Sequence, residues 1–147
     1  MISDEQKLAL TAAEMKNEWE GYPAANLIDG NLDNFAHTYA VSDGMWIRVT
    51  LPSYSSVSRI VVYNREHSCC KGRIIGMSVY IKYNELITAT CGNITTEALV
   101  YDYDSCSGEG NVVELSQEGE VGAQNIAEIE VYGVATDEPA IDFESGM

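Results

Sequence analysis

At 147 residues, 46% hydrophobic and 21% charged, the chain has the size and composition of one globular domain able to bury an ordinary core. Its 23 Asp+Glu against 8 Lys+Arg give a formal net charge of −15. That balance argues against nucleic acid or an anionic membrane as the main partner, because both attract basic surfaces, and it leaves neutral glycans and cations as candidates. No apolar run approaches the length of about eighteen residues that a membrane span needs.

Met1 to Asn17 is polar, with Lys7-Leu8-Ala9-Leu10 as its one short strand candidate. Gly21-Tyr22-Pro23 punctuates the chain, and 24–34 reads as a polar loop with Asp-Gly turn chemistry. Short runs rich in Val, Ile and Tyr follow, each closed by turn residues: Met45–Leu51, Val57–Tyr63, Ile75–Tyr83, Ala98–Tyr103, Asn111–Leu115 and Ile126–Val134. The partial alternation in Val57–Tyr63 and Ile75–Tyr83 marks strands buried on one face, and no segment sustains a period of 3.6. The expected fold is all-β, an antiparallel β-sandwich or barrel over residues 1–135. The acidic stretch 136–147 reads as a loose tail.

The stretch Asn64-Arg65-Glu66-His67-Ser68-Cys69-Cys70-Lys71-Gly72-Arg73 stands out, because Arg65, Lys71 and Arg73, three of the eight basic residues, fall within nine positions. Adjacent cysteines pair only through a strained eight-membered ring, and such strain gathers at functional sites. A bridged Cys69–Cys70 would be a rigid apolar bump between planar guanidinium donors. That suits a ligand with one apolar face and several hydroxyls, such as a deoxy-sugar. The local sequence leaves a second reading open, two reduced buried thiols beside surface arginines. His67 lies within the stretch without an assigned role.

Asp29-Gly30-Asn31-Leu32-Asp33-Asn34 offers carboxylate and amide oxygens at alternate positions, as a loop around a hard cation does. It is not an EF-hand, since Asn34 stands where Gly is required and Ala40 where Glu is required. Two readings remain, a calcium site completed by backbone carbonyls and by Glu128 or Glu130, and a solvated Asx-rich turn. His37 follows the loop directly and could hydrogen-bond a sugar hydroxyl. Cys91 and Cys106 have a spacing suited to a disulfide worth on the order of 3 kcal/mol. A Cys₄ zinc site lacks the two separated knuckles it needs. None of the common hydrolase, metalloprotease or phosphate-loop motifs is present, so no enzyme activity is indicated. Met1–Gln6 shows no signal-peptide pattern, yet the four cysteines and the Asn93-Ile94-Thr95 sequon point to an oxidising compartment. A secreted or extracellular location, or one module of a longer chain, is expected.

Taken together, several landmarks resemble those of the F-type lectin family, the fucose-binding branch of the discoidin-like, galactose-binding-like jelly-roll sandwiches. They are Gly21-Tyr22-Pro23-Ala24, Asn26-Leu27-Ile28-Asp29-Gly30-Asn31, His37-Thr38, 46–51, 61–65, Cys69-Cys70, 73–76 and 128–133, in family order from about Leu8 to Gly133. The resemblance implies a calcium-stabilised, non-catalytic lectin for L-fucose or fucosylated glycans. His37, Arg65 and Arg73 would donate hydrogen bonds to the ring oxygen and axial hydroxyls, and a Cys69–Cys70 disulfide would pack against the apolar face. It also implies a structural Ca²⁺ on Asn26, Asp29, Asn31, Asn34 and Glu128, partly through backbone carbonyls, and a Cys91–Cys106 disulfide. Because monovalent lectin sites are weak, homo-oligomers or tandem modules are expected. There are two departures. Where the family has Arg-x-Asp-Cys-Cys, this chain has Arg65-Glu66-His67-Ser68-Cys69-Cys70, so the Asp that orients the arginines is missing. A family cystine is absent as well, with Phe35 and Ala127 near its places. An altered pocket would make the chain a discoidin-like adhesion or protein-interaction module instead.

Overall fold

A computed structural model of the chain describes residues 5–66 and 70–139. His67 and Cys69, and 140–147 of the acidic tail, lie outside the described residues. The fold is all-β, with nine strands and two short 3-10 helices among the described residues: β1 Gln6–Lys7, β2 Ala12–Met15, β3 Ala36–His37, β4 Met45–Asn64, β5 Ser78–Tyr83, β6 Leu86–Asn93, β7 Val100–Tyr103, β8 Gly108–Gln117 and β9 Asn125–Ala135. The 3-10 helices are Ala24–Ile28 and Lys71–Ile74. All the pairings are antiparallel.

The expected runs Met45–Leu51 and Val57–Tyr63 form one continuous strand. β4 bends around Pro52, where its register slips between Thr50 and Ser55, and its two halves belong to the two layers of the sandwich. The first half pairs with β2 and β8, and β8 leads on to β5 and β6. The second half lies beside β9 along its length, with the end of its ladder to β8 on the other side at 55–57 and β7 there at 60–63. Alternate residues point inward from each layer. Ile47, Val49, Val113, Leu115, Val79 and Ile81 come from the first and Ile60, Val62, Ile129 and Val131 from the second, and all join one buried cluster. Burying ten such side chains at about 1.5–3 kcal/mol each is the main favourable term holding the layers together.

β6 was not anticipated, because both of its faces are largely exposed and Leu86-Ile87-Thr88-Ala89 carries no alternation. It is an edge strand, paired only with β5 through two bulges and tied by a Cys91–Cys106 disulfide to the segment after β7. β1 is shorter than the Lys7–Leu10 candidate, and Thr136 and Glu138 at the start of the tail bond Tyr54 and Tyr83.

Where β9 pairs with β4, Gly133 faces Val57, and a Cβ on it would run into the Ser56 carbonyl oxygen and lie 2.9 Å from Val57 Cα. Backbone cannot yield there as a side-chain tip would. Gly133→Ala should therefore cost about 2 kcal/mol, read as a lower urea midpoint with unchanged slope.

Candidate functional site

At one end of the sandwich, β3 runs antiparallel to the start of β9 and sets His37 opposite Asn125. Asn64, the last residue of β4, is 1% exposed and holds the two neighbouring segments. Its Oδ1 accepts from the Arg65 amide at 2.8 Å, while its Nδ2 donates to the carbonyls of Lys71 (2.8 Å) and Ala98 (2.9 Å). Gln124 fastens the far side, donating from Nε2 to the Arg73 carbonyl at 2.7 Å and from its amide to Thr38 Oγ1 at 2.9 Å. Cys70 caps the second 3-10 helix in the left-handed region, at φ 81°, and its carbonyl oxygen accepts from Arg73 N and from Asn125 Nδ2. It is disulfide-bonded; Cys69 lies outside the described residues.

This frame brings His37, Arg65 and Arg73 together. A carbonyl oxygen carries no proton and a guanidinium no free acceptor pair, so two contacts settle the histidine's tautomer. Nδ1–H donates to the Thr38 oxygen at 2.8 Å, and Nε2 accepts from an Arg73 Nη at 3.2 Å. Burial pushes the imidazole pKa below its ordinary 6.5, and the nearby Arg73 and Arg65 charges add to the effect against the opposing Thr38 carbonyl. Neutral His37 thus presents Nε2 as an acceptor, where the family resemblance implied a donor. The same Arg73 nitrogen lies 3.3 Å from Asn125 Oδ1. The Arg65 guanidinium lies 4.1 Å above the Phe35 ring, with its buried Nε unpaired among the described residues. Neither arginine has a carboxylate in ion-pair range among those residues.

Aromatic rings wall the basic group. Tyr22 stacks on Phe35 at 4.8 Å, and the Trp19 ring stands edge-on to His37 at 4.4 Å. Trp19 and Tyr22 are each 39% exposed. The site can therefore supply planar cationic donors, one neutral acceptor and an apolar wall. That combination recognises a ligand carrying neighbouring hydroxyls on one side and C–H groups on the other.

Behind Phe35, the loop 26–35 is tied to itself. Asp29 accepts from Asn31 N (2.9 Å) and Asn34 Nδ2 (3.0 Å), Asn31 Oδ1 accepts from Asp33 N (2.9 Å), and Asn26 Nδ2 donates to the Phe35 carbonyl (2.9 Å). Glu128 reaches the loop from β9 and accepts from the Gly30 amide through both oxygens, at 3.2 and 3.1 Å. It is 3% exposed, and burial, reinforced by Asp29, raises its pKa to about 7 against the Gly30 hydrogen bonds. Glu130, the other candidate, instead accepts from Lys7, Tyr63 and Tyr132. Two carboxylates meeting where one is buried fit a cation. No group of three or more acidic, His or Cys ligands exists among the described residues. The remaining donors would be loop carbonyl oxygens, a set suited to calcium rather than zinc.

The family model for NedA-like, galactose-binding domains matches residues 26–127, which include the loop, His37 and both arginines. The chain belongs to that family. Solved structures share its galactose-binding-like fold at low identity. A fucose-binding module of Streptococcus pneumoniae is 16% identical with a TM-score of 0.78, covering 90% of this chain and 99% of that one. The lectin domain of lectinolysin, solved with Lewis B antigen, is 20% identical with a TM-score of 0.75 over 84% of this chain and 93% of its own. The serum fucolectin of striped bass, Morone saxatilis, is 23% identical with a TM-score of 0.72. The match covers 86% of this chain and 46% of the fucolectin. No curated protein matches the sequence.

Two residues stand where this chain departs from the F-type lectins that its sequence resembles, Asn125, which sequence reading did not single out, and Phe35. Asn125 stands beside Arg73 in the absence of the motif's Asp, and Phe35, near the place of a family cysteine, becomes the platform under Arg65. Ala127, near the other, is buried. Nothing local in the sequence marks Asn125; the pairing of β3 with β9 is what sets it opposite His37.

Proposed function

We propose that the chain is a non-catalytic lectin module that binds terminal L-fucose or a sugar with the same hydroxyl arrangement, and that Ca²⁺ stabilises it. The convergence of His37, Arg65 and Arg73 beneath the wall of Trp19 and Tyr22 carries this reading. Two vicinal hydroxyls would accept from the guanidinium forks. One of them would donate to His37 Nε2, displacing the Arg73 contact it has now. The deoxy carbon of fucose would face the rings, where a hydroxymethyl group gains less. Asn125 and Phe35 hold the arginines without neutralising them, so their donors stay available. The fucose-binding and Lewis B-bound relatives support this choice, and the family's galactose description supports the shared axial hydroxyl. Asp29, Glu128 and carbonyl oxygens of the loop around Asn26, Asn31 and Asn34 would hold the calcium, fixing the segment that leads into Phe35 and His37. The disulfides at Cys70 and at Cys91–Cys106 favour an extracellular setting.

Calorimetric titration with L-fucose and with D-galactose at millimolar calcium tests this. Saturable binding of fucose, tighter than that of galactose, is expected. No heat from either sugar, with the circular dichroism of an intact β fold, would sink the lectin reading in favour of an adhesion module.

A further inference from the structure

We infer that the stacked rings of Trp19 and Tyr39 form a second subsite, which takes the apolar face of a neutral sugar linked to the one held by His37, Arg65 and Arg73. The inference rests on the reading of that pocket as a fucose site and extends it from a monosaccharide to a fucosylated chain.

The two rings lie 4.9 Å apart and within 5° of parallel, and Trp19 is also the ring that stands against His37. The platform is therefore continuous with the basic pocket. It is also rigidly mounted. Glu18 and Thr38 form an antiparallel bridge, Trp19 N donates to the His37 carbonyl and Tyr39 N to the Asn17 carbonyl, each at 2.8 Å, and Asn17 takes a left-handed φ of 61° to make the turn. Packing alone does not account for the pair, because Trp19 and Tyr39 stay 39% and 44% exposed. Stacking covers one face of each ring and His37 stands against Trp19, so the half-exposed outer face of Tyr39, backed by Trp19, is the surface that matches the C–H face of a pyranose. Preorganisation keeps the entropic cost of using it low.

Charge limits the ligand. Glu20 is exposed next to Trp19, and the nearest cation in the sequence, Lys16, is paired with Asp43 at 2.7 Å. The carboxylate exposed one residue from Trp19 disfavours a sialylated or sulfated sugar there, so the second sugar is a neutral hexose or N-acetylhexosamine.

The test titrates the native chain, at millimolar calcium, with L-fucose and with α1,2-, α1,3- and α1,4-linked fucosyl disaccharides, then repeats the series with Tyr39→Ala and Tyr39→Phe. At least one disaccharide should bind roughly fivefold tighter than fucose. Tyr39→Ala should abolish that gain while leaving fucose affinity unchanged, and Tyr39→Phe should retain it. In the native chain, saturation transfer from aromatic protons should reach the second sugar, a readout that does not depend on either variant folding. The inference is overturned if no disaccharide gains over fucose, or if the gain survives Tyr39→Ala. Those outcomes leave the fucose pocket standing. Failure of every sugar to bind removes the pocket and the inference together.

Discussion

In calcium-free buffer, lowering the pH from 8 to 5 should stabilise the native chain by about 2.5 kcal/mol more than it stabilises Glu128→Gln. Glu128 has its pKa raised from an ordinary 4.5 to about 7, chiefly by burial and then by Asp29, and a difference of that size corresponds to about 3 kcal/mol. The folded state holds this proton more tightly than the unfolded chain. The contribution is therefore complete below about pH 4.5 and lost as pH rises through 7. His37 shifts the opposite way and loses stability as pH falls below 6.5, but it does so in both proteins and cancels from the comparison. On the proposed reading, calcium would supply at pH 8 the positive charge that the proton supplies at pH 5. Millimolar calcium should thus raise the melting temperature of the native chain at pH 8 by several degrees, have little effect at pH 5, and leave Glu128→Gln almost unmoved. Equal pH dependence in the two proteins would show that burial does not perturb Glu128. A melting temperature indifferent to calcium at pH 8 would remove the metal from the proposal.

The same residue shows what could be read from sequence and what could not. Glu128 and the loop from Asn26 to Asn34 lie almost a hundred positions apart; the residues offered Glu128 or Glu130 as the carboxylate that meets the loop, and the family resemblance chose Glu128. The physical reason for their meeting is the path of β9, whose alternation turns Ile129 and Val131 inward and so places Glu128 over the loop. Strands with one wet face, such as Ser78–Tyr83, declared themselves by that alternation. β6 did not, being exposed on both faces, and the bend that makes one strand of Met45–Asn64 was hidden behind Pro52 and its serines. At the site, His37, Arg65 and Arg73 stood out as rare basic residues in an acidic chain. Trp19, Tyr22 and Asn125 did not, because nothing local distinguishes an exposed aromatic in a turn, or an Asn before a strand, until β3–β9 pairing gathers them.

Replacing Arg73 by Ala should weaken fucose binding by on the order of 10- to 100-fold, the cost of about two charge-assisted hydrogen bonds less what water recovers. The fold should survive. The Arg73 segment is held through backbone groups, by Gln124 Nε2 on its carbonyl and by the Cys70 carbonyl on its amide, and none of these depends on the guanidinium. Arg73→Lys should fall between the native chain and Arg73→Ala, since an ammonium keeps the charge but cannot face His37 Nε2 and Asn125 Oδ1 with one planar fork. Asn125→Ala should lose several-fold without touching sugar, because Arg73 would then be oriented by His37 alone. Combined with Arg73→Ala it should add almost nothing, since its effect passes through that guanidinium. Calorimetry on the four variants, with melting curves to verify folding, measures all of this. Full additivity of Arg73→Ala and Asn125→Ala would mean that Asn125 meets the sugar itself. Native-like affinity in Arg73→Ala would mean that the basic group is not where the sugar sits.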